Sequence, residues 1–277
     1  MKKIKNKRLI IKLTIIIVLI VCWFYENKHI DVSTYTYESE KIDEELEDFK
    51  IVQVSDLHNS VFGINNKKLL DKIKSCSPDI IVVTGDLPDS FLEKTNYSIA
   101  FLKEAVKICP VYYITGNHEY NLSTEDYNLL KKEIENIGVI DIDDDKRIIE
   151  VGDSSFVLAG LDDRSLIGDT LSTLLEDYEG LKIVLCHEPD FFDKYEKAGA
   201  DLILAGHAHG GLIRIPFVGG IIAPGQGFFP EYTKGEYYIN DSEMIVSGGL
   251  GNSVVPLRLF NHPEIVCVEF LHEYHER

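Results

Sequence analysis

Along the chain the spacing of apolar positions changes period several times, and each period predicts an element. Residues 9–25, LIIKLTIIIVLIVCWFY, form an apolar run with a single charge, at Lys12. Its 17 residues stand at the short edge of a membrane-spanning helix, and Lys12 can extend its ammonium to the headgroups. From residue 49 onward, short apolar runs predict strands that each end in a polar turn: FKIVQVSD, PDIIVVTGD, PVYYITGN, SFVLAGLDD, LKIVLCHEP and ADLILAGHAHGG. Helical patterns fall between them. NKKLLDKIKSC carries Leu69, Leu70 and Ile73 at helical spacing, and YSIAFLKEAVKIC follows the same period. TEDYNLLKKEIENIG opens on a threonine in the N-cap position and stops at a glycine. Strands alternating with helices predict an α/β fold. The glycine-rich segment 216–235 and the strands SEMIVSGG and PEIVCVEFL make part of the sheet mixed or antiparallel. Residues 26–48 are polar and acid-rich and read as a tether or an edge strand. The expected layout is a basic terminus at 1–8, an anchor at 9–25, a tether at 26–48 and one catalytic domain at 49–277.

Charge sharpens that layout. The chain has 277 residues, 45% of them hydrophobic, and a net charge of -18. Lys2, Lys3, Lys5, Lys7, Arg8 and Lys12 precede the first acid, Glu26; without them 22 basic residues face 46 acidic ones, a net -24. Such a body repels polyanions, which argues against a general nucleic-acid binder. The basic cluster ahead of the apolar run directs the N-terminus inward and the remainder out of the cytoplasm. Trp23, Phe24 and Tyr25 sit where an interfacial aromatic belt belongs. A cleaved signal peptide is the rival reading, but no small-residue cleavage site follows. The five cysteines form no CxxC pair and read as free thiols.

The chemistry lies at the strand ends. Successive apolar runs terminate in Asp56-Leu57-His58, Gly85-Asp86-Leu87-Pro88-Asp89, Gly116-Asn117-His118-Glu119, Cys186-His187-Glu188 and Gly206-His207-Ala208-His209. In open α/β sheets the carboxyl ends of strands line the ligand crevice. Any one of these loops could be an N-cap or a turn. Five together gather Asp, Asn and His on one edge, an oxygen and nitrogen donor set without thiolate. That set suits manganese, iron or zinc and is unlike a cysteine-rich structural site. A carboxylate can bridge two cations, and two metals roughly 3.5–4 Å apart clamp the attacking and leaving oxygens of a displacement at phosphorus. His29, His262, His272 and His275 lie off these ends and read as surface or tail residues.

In this order, D-x-H, G-D-x-x-D, G-N-H-E, an isolated His and G-H-x-H resemble the motifs of the calcineurin-like metallophosphoesterases. The match runs from Lys50 to about Pro216, with NSVVPLRLFNHPEIVCVEF as a further similar stretch. The anchor followed by this domain is similar to the family's membrane-anchored bacterial branch, the YkuE-like and YaeI-like proteins. The resemblance implies a two-sheet β-sandwich flanked by helices, an αββα fold, behind one N-terminal transmembrane helix. It implies that Asp56, His58, Asp86 and His209 hold a first divalent metal, and that Asp86, Asn117, His187 and His207 hold a second. Manganese is the leading choice, with iron or zinc as alternatives. A metal-activated hydroxide would attack phosphorus. His118 would contact the phosphoryl group and protonate the leaving oxygen, and Asp89 would orient His118.

Glu119 reads as a loop-orienting residue; Arg164 and Arg214 would either reach a phosphate oxygen or pair with acids. Two positions depart from the pattern: Leu212 stands where a polar residue often follows GHxHGG, and Pro88 stiffens the second loop. The expected function is hydrolysis of a phosphomonoester, phosphodiester or pyrophosphate by an outward-facing, membrane-anchored and monomeric catalytic domain. A lipid or nucleotide-lipid pyrophosphatase, with residues 225–232 (GQGFFPEY) as an acyl-facing loop, is the alternative, as is a non-catalytic metal-stabilised scaffold.

Overall fold

The computed structural model describes residues 2–89, 95–252 and 257–273. It opens with helix α1 (Lys2–Lys28), whose apolar segment is left exposed among the described residues: Leu9, Ile10, Ile17, Leu19 and Val21 all stay more than half exposed. Leu9–Lys28 has a mean hydropathy of 2.3 and is long and apolar enough to cross a membrane. The helix runs three residues beyond the expected end at Tyr25, because its last turn docks on the folded body through Asn27.

The body has two six-stranded sheets. Its strands are β1 (Asp31–Ser39), β2 (Lys50–Val54), β3 (Ile80–Thr84), β4 (Val111–Ile114), β5 (Ile140–Asp141), β6 (Asp145–Val151), β7 (Ser154–Gly160), β8 (Leu181–Leu185), β9 (Leu202–Ala205), β10 (Arg214–Ile215), β11 (Gly219–Gly220), β12 (Ile222–Ala223), β13 (Gly227–Phe228), β14 (Gly235–Ile239), β15 (Ser242–Val246) and β16 (Glu264–His272). The first sheet has the order β1-β16-β2-β3-β4-β5 and the second β14-β15-β9-β8-β7-β6. Strands β10 with β11, and β12 with β13, form two small hairpins. Both main sheets are mixed: β2, β3 and β4 run parallel, while β16 lies antiparallel to β2 and parallel to β1.

Successive side chains on a strand face opposite ways, so a strand buried on both faces feeds two cores. Ile51, Val82 and Ile114 of the first sheet meet Phe156, Leu158, Ile183 and Leu204 of the second in the core between the sheets. On the other face of the first sheet, Val52, Val54, Ile81 and Val83 pack against α2 (Lys67–Ser75), α3 (Asn96–Ala105) and α4 (Thr124–Ile137). The second sheet turns Val157, Val184 and Ile203 towards α5 (Thr170–Leu175) and α6 (Phe192–Lys197). The layers are therefore helix, sheet, sheet, helix. This two-sided burial is why the central strands read as unbroken apolar runs.

Three details differ from the sequence reading. Residues 31–39 take the edge-strand alternative and form β1, paired over nine positions with β16, rather than a tether. The N-cap of α4 is Ser123, whose hydroxyl accepts from Asp126 N; Thr124 is the first helical residue. The glycine stop holds, with Gly138 left-handed at φ 89. Strand β6 has no counterpart in the sequence reading, because its edge position leaves Asp145, Lys146 and Arg147 partly exposed and breaks the apolar run.

Candidate metal centre

The carboxyl ends of β2, β3 and β4 in the first sheet meet those of β8 and β9 in the second, and the polar residues of all five loops converge there. Asp56, His58, Asp86, His187, His207 and His209 are all buried. Two groups form. In the first, His58 Nε2 lies 3.2 Å from His209 Nε2, and Asp56 Oδ1 is 3.5 Å from His209 Nε2. In the second, Asn117 Oδ1 lies 3.0 Å from His187 Nε2 and 3.1 Å from His207 Nδ1, which are 3.2 Å from each other. Asp86 belongs to both: its Oδ2 is 3.5 Å from His58 Nε2 and 3.3 Å from His187 Nε2.

The local backbone is shaped for this convergence. Asp56, His58, Asp86, His207 and His209 all have positive φ, between 44° and 66°. Non-glycine residues seldom adopt that region, and each instance costs of order 1 kcal/mol or more. Glycines admit the close approach. A Cβ on Gly116 would stand 2.5 Å from Asp86 Oδ1, and one on Gly206 would stand 2.0 Å from Ser55 Oγ and 2.7 Å from Asp56 Oδ2.

The donors suit a divalent cation on their own chemistry. His187 Nδ1 lies 2.8 Å from the Thr84 carbonyl, which can only accept, so Nδ1 carries the proton. The neutral ring then turns a lone pair towards Asn117 Oδ1 and the Asp86 carboxylate, which are acceptors too. In the other group the Nδ1 atoms of His58 and His209 are buried without partners among the described residues, while the two Nε2 atoms face each other. A cation in each group would accept the free lone pair of His187 Nε2 and those of the facing Nε2 atoms of His58 and His209. Burial pulls His58 down to about 3 and His207 down to about 4, which keeps their lone pairs free near neutral pH. With no cation there, a second proton on His187 meets the same conflict: burial opposes charge on His187 and Asp86, but their mutual attraction prevails, holding the imidazole well above its usual value and the carboxyl well below.

His118 stands at the edge of this cluster. Its backbone N–H donates to Asp86 Oδ1 at 2.8 Å, its ring meets His58 edge-on, and its side chain keeps 12% exposure where His58 and His187 have none. Asp89 is buried at the far end of the same loop as Asp86. Glu119 binds the loops together: its carboxylate accepts from Asp86 N at 3.0 Å, Leu87 N at 2.9 Å, Gly116 N at 3.1 Å and the Tyr113 hydroxyl at 3.0 Å. Burial and the Asp86 charge push it up to about 8 against the pull of those N–H groups. Arg164 stacks on the Tyr120 ring, and Arg214 donates to Gly210 O and Thr233 Oγ1.

Several residues of the site escape the sequence reading. Arg258 is fully buried and donates to the carbonyls of Gly248 and Gly251, which shape the turn against Asp56. Asn261 donates to His209 O at 2.8 Å. An arginine set among apolar residues, in RLFN, was the sequence signal available there, but it names no partner. His29 and His262, read as surface residues, both contact Asp31, at 3.3 and 3.1 Å, where α1 meets the body. His272 caps Ile42 O, and His275 lies outside the described residues, as do residues 253–256 of the NSVVPLRLF stretch.

Two donor groups sharing one carboxylate, held where two sheets end, define a dinuclear metallophosphoesterase. The family model for calcineurin-like phosphoesterases matches residues 49–211, and the chain belongs to that family. It is 32% identical over 258 residues to the metallophosphoesterase YkuE of Bacillus subtilis (strain 168), covering 87% of this chain and 86% of that protein. It is 28% identical over 228 residues to the phosphodiesterase YaeI of Escherichia coli (strain K12), covering 80% and 82%. A transmembrane protein with a metallophosphoesterase domain from Danio rerio is 25% identical, covering 83% of this chain and 54% of that one. The chain is an enzyme that hydrolyses phosphate esters and depends on divalent metal.

Proposed function

We propose that this protein is a phosphodiesterase anchored in the membrane by α1, with its catalytic domain outside the cytoplasm. Asp56, His58, Asp86 and His209 would hold one divalent ion, and Asp86, Asn117, His187 and His207 the other. The observation that carries this reading is the Asp86 carboxylate, whose Oδ2 lies within 3.5 Å of imidazole nitrogens from both groups. Two bound cations supply Lewis acidity towards the phosphoryl oxygens and lower the pKa of water. Manganese is our first choice among ions suited to mixed oxygen and nitrogen donors.

The chain's own groups do the rest. His118 is the partly exposed imidazole beside the shared carboxylate, so it can reach a substrate oxygen while its backbone N–H steadies Asp86. In the proposed reaction it hydrogen-bonds the phosphoryl group and delivers a proton to the leaving oxygen. Asp89 orients that ring. The diester preference follows the similarity to YaeI, and the outward orientation follows the basic residues ahead of the apolar helix.

The test is metal analysis of the purified protein with a phosphoester panel. We expect two divalent ions per chain and turnover of bis-p-nitrophenyl phosphate above p-nitrophenyl phosphate. His118→Ala should lower kcat about 10²–10⁴-fold while metal content stays. Metal-loaded protein inert towards every ester would overturn the reading, and loss of metal in His118→Ala would overturn the role given to His118.

A further inference from the structure

The last turn of α1 is wired to both flanks of the metal centre. On one flank Lys28 donates to Val61 O and lies 5.3 Å from the Phe62 ring, in the loop that follows Asp56 and His58. On the other, Asn27 Oδ1 accepts from Arg258 N, and Glu26 Oε2 accepts from Phe260 N at 2.7 Å. Arg258 and Asn261 of that second segment then hold the turns beside Asp56 and His209. The point where the apolar helix leaves the body is thus two hydrogen bonds from the centre.

What surrounds that point is unlike the rest of the surface. Leu259 exchanges backbone hydrogen bonds with Leu212 and Arg214, so the segment carrying Phe260 runs beside β10, and β10 pairs with β11. Each such pairing is a lateral step of about 5 Å. The hairpins built there expose Phe217 completely, Val218 at 61%, Phe228 at 75% and Phe229 at 70%, with Phe260 at 62% beside the helix. The inner side of the same hairpins closes over the centre: a Cβ on Gly225 would stand 3.6 Å from His207 Nε2. On the opposite side of α1, a cavity of about 480 Å³ is lined by Lys28, His29, Lys68 and Lys72, with Asp71 and Ser75. Lysines gathered there stand out in a body that carries a net -24.

An apolar aromatic rim on one side of a membrane helix, and lysines on the other, match the acyl boundary and the anionic headgroups of a bilayer. We propose that this collar around the foot of α1 seats on the surface of the membrane α1 enters. The tips Phe217 and Phe228–Phe229 dip into it, and the centre opens at headgroup level. The proposal rests on the reading of α1 as an anchor, and its occupant is the lipid bilayer, argued from continuity with that helix and from charge.

Because α1 alone brings the protein to lipid, the test must measure depth. Full-length protein carrying Trp23→Phe receives one tryptophan, by Phe217→Trp, Phe228→Trp or, on the exposed face of α4, Leu129→Trp. Each is reconstituted in vesicles of phosphatidylcholine and phosphatidylglycerol with or without brominated acyl chains. We expect at least twofold quenching at 217 and 228 and none at 129. Equal, unquenched emission at all three positions overturns the proposal, as does quenching at 217 and 228 that depends on protein density, which would assign the rim to a second copy of the chain. Lys68→Glu with Lys72→Glu should lessen quenching at 217; an unchanged signal removes the lysines from the argument and overturns the collar as drawn. None of these readouts uses turnover, so they fail independently of the phosphodiesterase reading.

Discussion

At the level of single residues, the centre is a set of strained backbones held by hydrogen bonds. Asp56, Asp86 and His207 keep left-handed conformations because their neighbours tie them down, and Glu119 is the main tie for Asp86. Glu119→Gln replaces one acceptor oxygen by an amide donor and leaves Leu87 N or the Asp86 and Gly116 N–H groups facing another donor. An orphaned buried N–H costs about 1–3 kcal/mol. We therefore expect Glu119→Gln, compared above about pH 8 where the carboxyl is charged, to lower the denaturant midpoint by that equivalent and to weaken metal retention; a melt unchanged within error would show that Glu119 is not the tie. The convergence of these seven side chains was legible because each follows the end of an apolar run. Glu119 was legible as a loop-orienting residue, from its place beside His118. The roles of Arg258 and Asn261 were not, since their partners are backbone carbonyls distant in sequence, and no residue pattern announces a carbonyl.

Among the elements, legibility followed burial. Strands β2, β3, β4, β8 and β9 are covered on both faces and read as apolar runs, whereas the edge strand β6 and the two-residue strands β10–β13 have too few apolar positions to set a period. Strand β15 carries a cost inside such a run. Glu243 is buried there with Oε1 unpaired among the described residues, and burial, aided by Glu236 and Glu38, pushes it from 4.5 up to about 7. The folded state then holds a proton that the unfolded chain has released between those two values, so stability falls as pH rises through that window. Glu243→Gln should flatten this slope. At pH 8 it should raise stability by roughly 1–2 kcal/mol, discounting the full shift for residual solvent screening. Thermal melts of both proteins at pH 4.5 and pH 8 check it; an equal difference at the two pH values would contradict the assignment.

For the whole molecule, the uneven charge and the unpacked helix belong together. An apolar helix left exposed from Leu9 to Val21 among the described residues is unfavourable in water. The full chain should remain with membranes through alkaline carbonate and high salt and leave only with detergent, as followed by sedimentation; release by carbonate would refute the anchor. The sandwich itself was legible from alternating elements and motif order. Its closure was not, since nothing local says that the final strand slots between the first two. That order, β1-β16-β2, has a consequence for synthesis. A ribosome delivers α1, β1 and β2 long before β16, so the first sheet stays split along its length, with two open edges, until residue 272 has emerged. Locking of the first sheet waits for β16, the strand that joins its two halves.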